Sequence, residues 1–327
     1  MATAENSIPE NVEAPQSESS APPPSTPILL SPALWLVAFL AINFAVPFLP
    51  IKSMGTAVLG NIVLTFAYVT VAVLFAVAMA RLKLPLPRVI IYGVLAGAFW
   101  LLIDQWLGAK ISAPIIAAVR ETKTQPDFAQ TLQLIGVSTF TDLSLLVGAV
   151  CAGIVASRMI QTPNMLGPVC GVIALIDVWG VLFGGIVAQL MEKTPEIAAK
   201  AMTQGPQIGA ASPTAARYAI PLPHIGVGDY LFLGLLFGVL LWHGLNWRAA
   251  VKWVVPLVSL ALLSITLGGL PALPGLLFIA LGVAIPNLKA FSYTREEKFA
   301  LLYALGFVAL LTIALYFGVT SLLPDKK

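Results

Sequence analysis

Charge is scarce in this chain. Only 10% of its 327 residues are Asp, Glu, Lys or Arg, against about a quarter in an ordinary soluble domain. That balance excludes a water-soluble enzyme, a nucleic-acid binder and a disordered scaffold. The 18 Lys and Arg are scattered and the net charge is only +3, which suits no polyanionic partner. Cysteine is nearly absent: Cys151 and Cys170 both fall in apolar runs, so neither a disulfide framework nor a metal cluster is indicated. Histidine occurs only at 224 and 243. With no Ser-His arrangement and no HExxH pattern, serine and zinc proteolysis lack their residues. No phosphate-cradling glycine loop is present, and no cofactor or metal is expected.

What fills the chain is apolar: 58% of residues are hydrophobic and the mean hydropathy is +0.92. From Leu29 on, nine apolar segments follow, at 29–49, 57–80, 89–107, 132–157, 165–190, 225–247, 249–268, 270–286 and 299–323. A helix rising about 1.5 Å per residue needs roughly 20 residues to cross about 30 Å of hydrocarbon, and all segments but one are long enough. The exception, 270–286, carries Pro271, Pro274 and Pro286 and follows its predecessor across Gly268-Gly269. It predicts a short, irregular helix packed inside protein, because broken backbone is not tolerated against lipid. The fold class expected is therefore all-α, a polytopic bundle of about nine transmembrane helices, integral to a membrane and in a prokaryote the plasma or inner one.

Three regions are expected: a disordered Pro/Ser/Glu-rich tail over 1–28, N-terminal transmembrane helices over 29–164, and a catalytic transmembrane region over 165–327. Two connections are long. Residues 108–131 include an apolar stretch, Ile111–Val119, too short to span and predicted to be interfacial or re-entrant. In 191–224, Thr194-Pro195-Glu196 predicts a short helix ended by Gly205, and Pro221 and Pro223 an extended run. Alternate sides of nine spans carry nine basic residues each, so the positive-inside rule is tied, with the cluster Arg81, Lys83 and Arg88 the strongest local vote for a cytoplasmic side.

The acids are unevenly placed. All nine Glu lie outside the apolar segments, whereas four of the six Asp lie inside them: Asp104, Asp142, Asp177 and Asp229. A carboxylate at a bilayer centre costs about 2.5–3.5 kcal/mol or more, so these four are the candidates for chemistry. Asp177 is mid-segment, and Gly180 and Gly184 follow on its helical face, predicting a seam where a neighbour comes close. Asp229 ends Gly226-Val227-Gly228-Asp229, whose glycines remove side chains where another backbone could approach the acid. Asp104 lies near a helix end and reads as interfacial. Asp142 is deeper and reads as a partner of neighbouring hydroxyls or as an aid to hydrating the site. Segment 270–286 then opens with Pro271-Ala272-Leu273.

An Asp-bearing helix, a GxGD helix and a PAL motif, in this order, resemble the presenilin and signal peptide peptidase family of intramembrane aspartyl proteases, as a distant, prokaryotic-like homologue. The resemblance covers about 165–286. It implies that Asp177 and Asp229 form the catalytic pair, that Gly226, Gly228, Pro271, Ala272 and Leu273 shape the site, and that an extended substrate strand lies beside Arg217–Ile225. It departs from the family at Ile176, where an aromatic residue is usual. The acids also fall on the fifth and sixth segments rather than the sixth and seventh helices, and the long cleaved insertion of presenilins is lacking.

Two carboxyl groups sharing one proton supply what peptide hydrolysis needs. The ionised member takes a proton from water while the protonated member donates to the carbonyl oxygen, and the pair titrates as a unit. The expected partners are membrane lipid and single-span transmembrane or signal-peptide substrates. Two alternatives stand beside this: a proton-coupled transporter with the four Asp along one relay, and a prepilin-type peptidase, which also carries GxGD but continues into Lys-Leu where this chain has Tyr230-Leu231 and has no PAL motif.

Overall fold

A computed structural model describes residues 31–122, 126–182, 202–203, 205–206, 208–209, 220, 224–270 and 273–322. The described residues are almost wholly helical. They form α1 (Pro32–Ala45), α2 (Met54–Arg81), α3 (Leu86–Leu102), α4 (Ala113–Thr122), α5 (Phe128–Ser157), α6 (Leu166–Leu182), α7 (Val227–Trp242), α8 (Trp247–Thr266), α9 (Gly275–Ala284) and α10 (Arg295–Leu322). The tail over 1–28, the start of the helix expected from Thr194 to Gly205, and Gly184, Arg217, Pro221 and Pro223 lie outside the described residues; the end of that helix is corrected, because Met202–Thr203 form a strand.

Capping sets two helix starts ahead of the apolar runs. Ser53 Oγ accepts from the Thr56 N–H and Asp127 Oδ1 from the Gln130 N–H, and in both cases the fourth side chain reaches back to the capping residue's N–H. These reciprocal bonds satisfy orphan donors of the first turn. Helices α2 and α5 therefore begin several residues before hydropathy alone places them.

Among the described residues, five helices are long and apolar enough to cross a membrane: Met54–Arg81, Leu86–Val119, Phe128–Ser157, Pro163–Val181 and Trp247–Thr266. Three shorter apolar helices accompany them, Pro32–Phe48, Val227–Trp242 and Gly275–Ala290. The expectation that only 270–286 is short is corrected here, because α7 has 16 residues, about 24 Å at helical rise. A second correction concerns Ile111–Val119, which is no separate re-entrant piece. It continues from α3 through a π-helical stretch, Ile103–Ser112. Pro114 explains the widening: a proline ring collides with the carbonyl four residues back, and a wider turn relieves that collision.

The centre of the bundle is the α5–α7 pair, where three glycines bring backbone against backbone. A side chain at Gly234 would strike the Val150 carbonyl, one at Gly153 the Leu231 carbonyl, and one at Gly238 would meet Ser157 Oγ at 2.5 Å. Helix α2 packs on α7 and α8, α3 on the outer side of α5, and α9 between α6 and α8. The outer helices expose apolar side chains such as Val94, Leu95, Leu302 and Phe307, the surface a hydrocarbon solvent accepts.

One end of the bundle is tied together turn by turn. Arg158 Nη2 donates to the Leu84 carbonyl at 3.3 Å, and His243 Nε2 lies 3.0 Å from the Ile160 carbonyl. The Asn246 N–H donates to Asn287 Oδ1, and Asn164 Nδ2 to the Ser292 carbonyl. The α2–α3, α5–α6, α7–α8 and α9–α10 connections thus share one face, far from the start of α7.

Candidate active site

Asp177 and Asp229 reach the site by different routes. Asp177 projects, half-buried, from the middle of α6. Asp229 occupies the first turn of α7, where its Oδ2 accepts from the Gly226 N–H at 3.1 Å. This is half of a capping box, since Gly226 has no side chain to return the bond. The chain enters α7 from a two-residue strand, β2 (Ile225–Gly226), paired antiparallel with β1 (Met202–Thr203). Because α7 begins at Val227, Asp229 lies in its first turn, at the positive end of the helix.

The carboxyl groups converge on two consecutive residues at the start of α9. The Leu276 N–H donates to Asp177 Oδ2 at 2.7 Å. A methyl group at Gly275 would stand 3.1 Å from Asp229 Oδ1. The two acids are close enough to interact electrostatically. Orphan donors of α9's first turn, which no residue of that helix can satisfy, face this carboxylate pair. Gly275 and the Leu276 N–H do not stand out in the sequence, where the one available signal is Pro274-Gly275 just after Pro-Ala-Leu.

Of the remaining predicted residues, Leu273 lines an enclosed cavity with Asp229, Gly275, Ile225 and Val73. The cavity measures about 30 Å³, enough by volume for a water molecule. Gly228 is exposed and a side chain there would meet nothing within 4 Å, so the first turn of α7 is open on that side. Gly226 lies against Asp229 itself. Pro271 and Ala272 fall outside the described residues. On the α6 face where a close neighbour was expected, Gly180 is buried but no described atom lies within 4 Å of the place a side chain would take; the neighbour that does come close to Asp177 is the start of α9.

Behind Asp229 lies a buried polar cluster. Thr203 Oγ1 lies 3.1 Å from the Ile225 carbonyl and 3.0 Å from the Tyr230 hydroxyl, so one side chain ties β1 both to β2 and to the residue after Asp229. Tyr68 and Asp142 belong to the same cluster, and Asp142 is the acid that bears on both tyrosines. On α2 the buried Asn61, Thr65 and Tyr68 form one face at helical spacing. That polar stripe in an apolar helix was readable from sequence. Asp104 sits in the π-helical stretch, where Gln105 Nε2 donates to its Oδ2 at 3.2 Å.

Among the described residues, no three His, Cys, Asp or Glu side chains group as a metal site requires. Cys151 and Cys170 are buried and unpaired with each other. No protein-family model, curated protein sequence or solved structure matches this chain.

Proposed function

We propose that the chain is an intramembrane aspartyl protease of the presenilin and signal peptide peptidase kind, a multi-pass protein of about nine transmembrane helices with Asp177 and Asp229 as its catalytic pair. One observation carries the reading: both carboxyl groups meet at Gly275-Leu276, directly after the Pro-Ala-Leu run. Asp177, Asp229 and Leu273, which lie far apart in the sequence, support the reading by their nearness to the start of α9.

In this mechanism one carboxylate takes a proton from a water molecule, whose oxygen attacks the scissile carbonyl carbon. The other, protonated, carboxyl group gives its proton to the carbonyl oxygen. The resulting gem-diol collapses, the C–N bond breaks, and the departing nitrogen receives a proton from the pair. Either acid alone can supply only half of this exchange. A substrate helix must unwind first, since its peptide bonds are buried and hydrogen-bonded. The open side at Gly228 and the strand pair before α7 give an extended segment a place to lie. Substrates are accordingly single transmembrane helices or signal peptides with helix-weakening residues.

A relay of four acids is less well supported, because Asp104 bonds to Gln105 on the α3 extension while Asp142 belongs with the tyrosine cluster. The test is cleavage of a single-span helix by the purified, reconstituted protein. Asp177→Asn and Asp229→Asn are each expected to lose roughly 10²–10⁴-fold in rate, and the double variant no more than either, as befits groups acting as a unit. No cleavage by wild type, or equal cleavage by all variants, overturns the reading.

A further inference from the structure

A pocket of about 330 Å³ opens at the tied end of the bundle, between the α2–α3 turn and the α7–α8 turn. It is lined by Arg81, Lys83 and Trp247 together with Leu240, Leu241 and Leu245. The size falls in the range of roughly 300–1,000 Å³ usual for small-ligand sites. Four features of the pocket point the same way.

Arg81 is held in place yet not used up. Its guanidinium lies over the Trp247 ring, 5.1 Å from the centroid, while Nη1 is buried with no hydrogen-bond partner among the described residues. Lys83 has φ +46°, the left-handed conformation that glycine adopts freely and a branched-out side chain does not, so a cation is kept where a relaxed turn would have glycine. Two further cations flank the pocket: Arg158 stacks on Trp242 at 3.9 Å and Arg248 on Trp247 at 5.4 Å. Carboxylates are distant in sequence from these turns. Glu296 and Glu297 begin α10, and Glu297 is occupied in accepting from the Thr294 N–H at 2.7 Å.

Clustered cations with tryptophan at the level where helices end are the arrangement that meets anionic headgroups at a membrane surface. We propose that this pocket binds the phosphate of an anionic phospholipid, with the Arg81 guanidinium and the Lys83 ammonium as donors and Leu240, Leu241 and Leu245 against the glycerol and first acyl carbons. The three leucines favour a lipid over a free phosphate, which would gain nothing from desolvating them. The inference is independent of the proteolytic reading.

Native mass spectrometry of the detergent-solubilised protein tests it, titrating phosphatidylglycerol against phosphatidylcholine of the same chains. Wild type is expected to retain phosphatidylglycerol preferentially. Arg81→Gln and Lys83→Gly should each lower that retention about fivefold, while Lys52→Gln, at the other end of α2, leaves it unchanged. Lys83→Gly relieves the turn, so it reports on lipid in a protein that remains folded even if Arg81→Gln does not. Equal retention of the two lipids, or unchanged retention in Lys83→Gly, overturns the proposal. Displacement of phosphatidylglycerol by millimolar inorganic phosphate overturns it too, in favour of a soluble-anion site.

Discussion

Gly275 shows how little room the carboxylate pair leaves. A methyl group there would come within 3.1 Å of Asp229 Oδ1, tighter than carbon and oxygen tolerate without movement, and the neighbour that must move is the proposed catalytic group. Gly275→Ala is therefore expected to lower the rate of helix cleavage by at least about tenfold, a loss of the size that a small misplacement causes. The melting temperature should change little, because alanine suits a helix better than glycine by up to about 1 kcal/mol. Parallel cleavage and thermal-melt assays check this, and an unimpaired Gly275→Ala enzyme would place the reacting groups elsewhere. The acids themselves were legible in the sequence, since a carboxylate in an apolar run must have a reason to be there. Gly275 was not, because its role depends on a contact with a residue of another helix.

At the scale of elements, the same pattern, two glycines four residues apart, occurs in α7 as Gly234 and Gly238 and is begun in α6 at Gly180. The sequence treats the two alike. In the structure Gly234 and Gly238 press on the backbone and serine of α5, whereas Gly180, though buried, meets no described atom that closely. Spacing gives the face of a helix but not which partner, if any, that face meets. The consequence is measurable. Gly234→Val must push α5 and α7 apart, and overpacking of this kind costs about 1–3 kcal/mol or more. Gly97→Ala, on the exposed side of α3 where nothing lies within 4 Å, is expected to be neutral or to stabilise by up to about 1 kcal/mol. Thermal unfolding in detergent compares them, and a wild-type melting temperature for Gly234→Val would mean that α5 and α7 are not packed this closely. The short α7 and α9 were likewise only half legible: prolines announced the irregularity of α9, but α7 stays apolar through Ile225, so hydropathy cannot show that its helix begins at Val227.

For the molecule as a whole, the remaining question is which end faces which compartment. The basic residues divide equally by sequence count, but the structure distinguishes how they are carried. Arg81, Lys83, Arg88, Arg158 and Arg248 sit in or beside the short turns bound to one another at one end. The positive-inside rule acts through charges near helix ends, and the tied end carries the densest group of them, Arg81, Lys83 and Arg88, so that end is expected in the cytoplasm and Lys52 on the opposite side. Because both native cysteines are buried, single cysteines can report this against a quiet background. In intact cells, Lys52→Cys should react with a membrane-impermeant maleimide and Lys83→Cys only after permeabilisation. The reverse pattern would invert the protein, and with it the direction from which a substrate helix must enter.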